Sequence, residues 1–174
     1  MNKLLVMCEG SNEKKIIELL LENDKLKFKS DDLVGLVPYH ARQLNSPIIR
    51  SALSMYNDRF DVLRIGDKQT DEMIIPRDMK HRVNSLQKYC TKPELEILLI
   101  INEGVYLDYL KSKKMPKQYA KENIVYHKEK YDNSSYFYEH YYGNRVDELV
   151  NNIKEYKRIK KHQKDELYLA DLLK

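Results

Sequence analysis

The chain has only two cysteines, Cys8 and Cys90, in 174 residues. Cys8 lies inside an apolar run, where a thiol packs as a small hydrophobe, so neither a disulfide nor a Cys/His zinc site is expected. Long apolar stretches are also missing. The longest run, Ile97-Leu98-Leu99-Ile100-Ile101, falls far short of the roughly 20 residues that a membrane span requires. With no signal-peptide pattern at the amino terminus, a soluble cytoplasmic chain without membrane contact is the expectation. Glycine is scarce, at five residues, and none of the glycine-patterned phosphate loops occurs. The absence of a P-loop, a dinucleotide-binding glycine pattern and a His-Glu-x-x-His pair argues against an ATPase, a Rossmann oxidoreductase and a zinc peptidase. No strand-to-helix elbow marks a nucleophilic Ser or Cys, and there is no internal repeat or low-complexity linker.

What is present is enough for one core, since 42% of the residues are hydrophobic and the length suits a single domain. Charge is unevenly placed. Residues 111–174 carry 15 Lys/Arg against 10 Asp/Glu, and residues 1–110 carry 16 against 17, so the net charge of +4 comes from the C-terminal third. A basic end of this kind suits either a nucleic-acid surface or a solvated helix face.

Lys3 to Cys8 reads as a strand closed by Glu9-Gly10, and Ile16, Ile17, Leu19, Leu20 and Leu21 then fall on one broad helical face. Ser11 is a candidate N-cap, with Glu13 in the positive first turn. Leu33 to Val37 reads as a second strand, limited by Pro38. A helix begins at Pro47 after Ser46, and Phe60 to Ile65 reads as a third strand ending at Gly66-Asp67. Helical spacing over Arg77 to Tyr89, and a buried strand over Ile97 to Ile101 ending at Glu103-Gly104, complete the alternation. The expected fold is α/β, a mainly parallel sheet of about four strands with helices on both faces over residues 1–110. Residues 111–174 form a Tyr-rich, basic, largely helical extension packed on it, with 11 of the 14 tyrosines after Gly104.

In such a sheet, ligands gather beyond the carboxyl ends of the strands. Acids cluster at three of the four predicted ends: Glu9 after the first, Asp67, Asp71 and Glu72 after the third, and Glu103 after the fourth. Converging carboxylates repel unless a cation relieves them, and Mg²⁺ binds through one or two carboxylates while keeping water and phosphate as its other ligands. Polar loops at helix N-termini account for the same acids structurally. His40, Arg42 and Lys68 share this edge and suit phosphate contacts, or equally an ordinary polar surface.

The stretch Leu4-Leu5-Val6-Met7-Cys8-Glu9-Gly10-Ser11-Asn12-Glu13, with its strand, Glu-Gly turn and helix, resembles the opening of the TOPRIM (topoisomerase/primase) fold, in particular the small versions in ribonuclease M5 and OLD-family nucleases. The resemblance covers about residues 1–110. It implies Mg²⁺- or Mn²⁺-dependent phosphodiester chemistry on DNA or RNA, with an ATPase as a partner in bacterial defence or repair. Glu9 matches the family's glutamate, expected to orient or deprotonate the attacking water. Glu13 matches a second acid one helical turn on, and Asp67 matches the first residue of an Asp-x-Asp pair. Gln69 stands where the second aspartate belongs, and the next aspartate is Asp71. The implied catalytic residues are therefore Glu9 and Asp67, and the candidate metal ligands are Glu9, Glu13, Asp67, Asp71 and Glu103.

Two features of the extension suit nucleic acid. Tyr131, Tyr136, Phe137, Tyr138, Tyr141 and Tyr142 suit base stacking, although tyrosines at this density also suit packing against the sheet domain or a partner. Arg158, Lys160, Lys161 and Lys164 suit a phosphate backbone, or a helix end where cations favour the dipole. A non-catalytic interaction module, binding protein or nucleic acid through this end, is thus the alternative to a nuclease.

Overall fold

The computed structural model describes residues 2–67, 72–92, 94–160 and 165–174. Its centre is a five-stranded, all-parallel sheet. Strand β1 (Lys3–Cys8) is buried on both faces. Leu4, Val6 and Cys8 meet one core and Leu5 and Met7 the other, which is why its sequence is apolar without alternation. Helix α1 (Ser11–Glu22) follows and buries Ile16, Ile17, Leu19 and Leu20. Its N-cap is Gly10 rather than Ser11.

The second strand differs from the expectation. Gly35 (φ 68°) and Leu36 (φ 67°) are both left-handed, so Val34–Leu36 is a kinked turn rather than a strand. A Cβ at position 35 would lie 1.9 Å from the Tyr39 hydroxyl oxygen, so only glycine fits there. The strand itself, β2 (Tyr39–His40), begins after Pro38 and pairs with the end of β1. Helix α2 (Pro47–Ser54), with Ser46 at the N-cap and Pro47 at the first helical position, and strand β3 (Phe60–Gly66) fall where the sequence puts them.

The next two elements exchange identity. Arg77–Met79 is one 3₁₀ turn, and the segment read as a helix continues as strand β4 (Val83–Cys90), parallel to β3. The run read as the clearest strand is helix α3 (Glu96–Asn102), with Ile97 to Ile100 all buried. A short uninterrupted apolar run has the same pattern in a central strand and in a helix buried on every side. Glu103-Gly104 is accordingly a helix stop. Glu103 is the C-cap and Gly104 (φ 70°) donates to the Ile101 carbonyl at 3.0 Å, the left-handed ending that glycine permits.

Beyond α4 (Tyr106–Ser112) and α5 (Pro116–Asn123), strand character returns in a small hairpin, β5 (Val125–Tyr126) with β6 (Glu129–Lys130). Helices α6 (Ser135–Tyr142) and α7 (Val146–Ile159) follow. Strand β7 (Leu167–Tyr168) then pairs with β4, giving the order β2-β1-β3-β4-β7. Helices cover both faces unequally: α1, α3, α5, α6 and α7 build the larger core, while α2 and the 3₁₀ turns build the smaller. Tyr138, Tyr141, Ile153 and Tyr168 share the larger core with Val6 and Cys8 of β1. The last residue is fastened too, as the Lys174 amide donates to the Lys25 carbonyl at 3.0 Å and Leu173 bridges Leu26. Both cysteines are buried and free, and among the described residues no helix is long and apolar enough to cross a membrane.

Because residues before and after 110 share one core, Tyr138→Ala should cost about 3–5 kcal/mol, the usual cost of truncating a buried aromatic. The loss should appear in one cooperative transition. Urea melts followed by far-UV circular dichroism and by tyrosine fluorescence should coincide, whereas separate transitions would mark the extension as an independent unit.

Candidate active site

Parallel pairing brings the ends of β1, β2, β3 and β4 to one edge, where they run into Glu9-Gly10, Ala41-Arg42, Asp67 and Thr91. A cavity of about 370 Å³ opens there. Its lining includes Gly10, Glu13, Arg42, Asp67, Thr91, Glu94 and Glu96, together with Lys117 and Asn133 from the C-terminal extension.

Glu9 is not among the lining side chains. It is 8% exposed and packs against Arg64 of β3, itself 3% exposed. Oε1 accepts from Arg64 Nη2, and Oε2 accepts from the Asp67 backbone amide at 3.0 Å. A Cβ on Gly66 would lie 2.0 Å from Oε2, so glycine at the end of β3 is what admits this carboxylate. The Glu9 amide donates to the Ile65 carbonyl at 2.9 Å, and His40 Nε2 lies 3.1 Å from the Glu9 carbonyl oxygen. One residue thus ties together the exits of β1, β2 and β3. Its side chain is committed to the protein, contrary to the expectation of a free metal-binding or water-activating carboxylate.

Glu13 does face the cavity. Its carboxylate folds back over Gly10, with Oε2 2.3 Å from where a Cβ would stand. Burial raises its pKa, the negative charges of Glu96, Asp67 and Glu9 add to the rise, and its own backbone amide opposes it. Asp67, exposed at the end of β3, lines the same cavity. Glu96, which sequence reasoning missed, is 4% exposed. Burial raises its pKa too, while the hydrogen bond from Tyr131 and the charge of Lys117 pull the other way. The Tyr131 hydroxyl donates to Glu96 Oε1 at 2.6 Å. With its amide turned to satisfy its neighbours, Asn133 donates to Glu96 (3.2 Å) and Tyr131 (3.1 Å) and accepts from Lys117 Nζ (3.0 Å). The sequence signal was an acid directly before an apolar run, hidden because that run was read as a strand.

Other expected residues lie elsewhere. Glu103 sits at the far end of α3, seven residues or about 10 Å along the helix axis from Glu96, where it accepts from the Tyr141 hydroxyl. It does not join the carboxylate group, because the element it closes is a helix. Lys68, Asp71, Lys161 and Lys164 lie outside the described residues. Arg158 is paired with Glu155 one turn back. Lys160 is paired with Glu166, with side chains only 10% and 6% exposed, so it is a packed ion pair rather than part of an open basic surface. Tyr131, Phe137, Tyr138, Tyr141 and Tyr142 are buried, leaving Tyr136 as the exposed member. The aromatic cluster is therefore core and not a stacking platform.

Among the described residues, no three of His, Cys, Asp and Glu are grouped to hold a metal ion. The donor set still fits a cation of the Mg²⁺ kind, which needs only one or two carboxylates and fills its shell with water and phosphate. Glu13 and Asp67 are the carboxylates of this set that line the cavity, whereas Glu9 and Glu103 are engaged elsewhere. No protein-family model, curated protein or solved structure matches this chain.

Two measurements follow from this geometry. Arg64→Met alone strips the buried Glu9 carboxylate of its guanidinium and should cost about 3–5 kcal/mol; adding Glu9→Gln should recover most of that loss in urea melts. The second concerns pH. Glu13 and Glu96 hold their protons more tightly in the fold than at the ordinary value of 4.5. The stability they contribute is fully present below pH 4.5 and is lost as pH rises through their raised values. Thermal melts of Glu13→Gln should therefore gain on wild type between pH 4.5 and neutrality.

Proposed function

We propose that this chain is a divalent-metal-dependent nuclease or phosphotransfer protein acting on DNA or RNA, in keeping with the TOPRIM resemblance of residues 1–110. The observation that carries the reading is the cavity at the carboxyl edge of the sheet, where Glu13, Asp67 and Glu96 face Arg42 and Lys117. Burial, together with the negative charges of Glu96 and Asp67 beside it, raises the pKa of Glu13 and calls for a cation, and the basic side chains lining the same cavity call for an anion. A metal-bound phosphate ester satisfies both.

In this reading Glu13 and Asp67 hold Mg²⁺ or Mn²⁺. The ion would polarise a phosphoryl oxygen and lower the pKa of water beside it. Arg42 and Lys117 bind and orient the phosphate oxygens, with Arg42 offering a planar fork and Lys117 a point charge. Glu96, whose pKa is raised by burial and which Tyr131 holds in place, takes the role of general acid or base expected of Glu9. Glu9 instead positions Asp67 through its backbone amide. An ATPase partner and a place in bacterial defence belong to the same proposal on the resemblance alone.

One observation favours the second reading, a non-catalytic module of the same fold. The carboxylate that matches the family's glutamate is neutralised by Arg64.

Incubation with single- and double-stranded DNA and RNA plus Mg²⁺ or Mn²⁺ separates the two. The nuclease reading expects cleavage that falls by about 100-fold or more in Glu13→Gln, Asp67→Asn and Glu96→Gln but persists in Arg158→Ala. Cleavage surviving all three site substitutions would sink the assignment. Binding without cleavage by the wild type would support the module.

A further inference from the structure

Two cations from distant parts of the chain, Arg42 and Lys117, line the cavity. Lys25, Lys114, Lys157 and Lys160 are committed to carboxylates, whereas Arg42 and Lys117 form no ion pair among the described residues and both line the cavity. Thr91, at the end of β4, lines it as well. It is 2% exposed, and its hydroxyl has no hydrogen-bond partner among the described residues. A buried hydroxyl without a partner costs free energy that a ligand oxygen would recover.

These groups come from opposite parts of the chain. Arg42 follows β2 and Thr91 follows β4, while Lys117 belongs to α5 and is steadied by Asn133 through a 3.0 Å contact to its ammonium. The Lys117 backbone is held too, its amide donating to Glu94 Oε2 at 2.9 Å. An ammonium fixed at both ends loses less freedom on binding a ligand than a free surface lysine does. At about 370 Å³, the cavity lies near the lower end of small-ligand pockets, which run from about 300 to 1,000 Å³. That suits one nucleotide-sized group better than a strand passing through.

We propose that Lys117, Arg42 and Thr91 form a subsite for a phosphomonoester, the terminal phosphate of a nucleic-acid strand or of a free nucleotide, and that the C-terminal extension completes the site rather than serving as a separate binding tail. A phosphomonoester carries close to two negative charges and three terminal oxygens at neutral pH, against one charge and two such oxygens on an internal diester. Two cations and one hydroxyl donor match the former. The proposal rests on the reading of this edge as a phosphate site, and it names what that site selects.

The test uses the full chain with Mn²⁺ and isothermal titration. Ligands are a short single-stranded DNA carrying a 5′-phosphate, the same strand with a 3′-phosphate, the unphosphorylated strand, and a 5′-mononucleotide. At least one phosphorylated end should bind about tenfold or more tightly than the unphosphorylated strand, and the mononucleotide arm tells a strand end from a free nucleotide. Lys117→Ala should abolish the preference, Lys117→Arg should retain part of it, and Lys154→Ala on the exposed face of α7 should leave it unchanged. Circular dichroism melts check that each variant is folded. Equal affinity for all strands, or a preference that survives Lys117→Ala in a folded protein, overturns the proposal. Cleavage of long substrates without end preference would overturn this proposal while leaving the nuclease reading intact. Phosphate-end binding without any cleavage would do the reverse.

Discussion

The edge of the sheet is organised around one carboxylate buried where three strands end. Glu9 sits against Arg64 and under the Asp67 amide, and there is room for it only because position 66 has no side chain. A buried charge of this kind is tolerable when its partner and hydrogen bonds are all in place. That condition fixes the relative heights of β1 and β3 and the direction in which Asp67 leaves the sheet. His40 adds β2 to the same knot through the Glu9 carbonyl. The cavity is thus built beside a buried ion pair, with its own carboxylates placed around it.

Much of this was legible in the sequence, and what was lost has definite physical causes. The β1 strand, the Glu-Gly turn, α1, α2 and β3 could be read because each combines an apolar pattern with a local stop or start: glycine after a strand, or proline at the first turn of a helix. Arg77–Tyr89 and Ile97–Ile101 were exchanged because their patterns do not decide between periods of 2 and 3.6; tertiary pairing with β3 and burial beneath α7 do. That exchange concealed Glu96 and promoted Glu103, since an acid after a strand points to the ligand edge and an acid after a helix need not. Lys117 and Asn133 carried no sequence signal, because their significance depends on the extension folding back over residues 1–110, and Thr91 was hidden because the strand it follows has a helix-like pattern.

The tyrosines show why composition misleads at this point. A density of aromatic residues beside lysines reads as a stacking surface, but rings of this size are also the cheapest way to fill a wide gap between helices. Here they fill it. Arg145 lies over the rings of Tyr126 and Tyr141, with centroid distances of 4.5 and 4.1 Å, and Asn152 donates to Asn102 and Tyr142. The polar ends of the rings are used in holding α3, α6 and α7 together, and through Tyr131 they reach Glu96 itself.

The placement of β7 bears on how the protein is made. Strand β4 ends at Cys90, yet its neighbour in the sheet begins at Leu167, and the final residues fasten to the loop after α1. Contacts so distant along the chain are slow to form, and during synthesis they must wait until residue 174 has left the ribosome. Until then one side of β4 has no strand beside it and Lys174 has not met Lys25. A nascent chain therefore carries its acidic edge long before it has the finished sheet, and a cell that halts translation early would release the carboxylates without the completed fold around them.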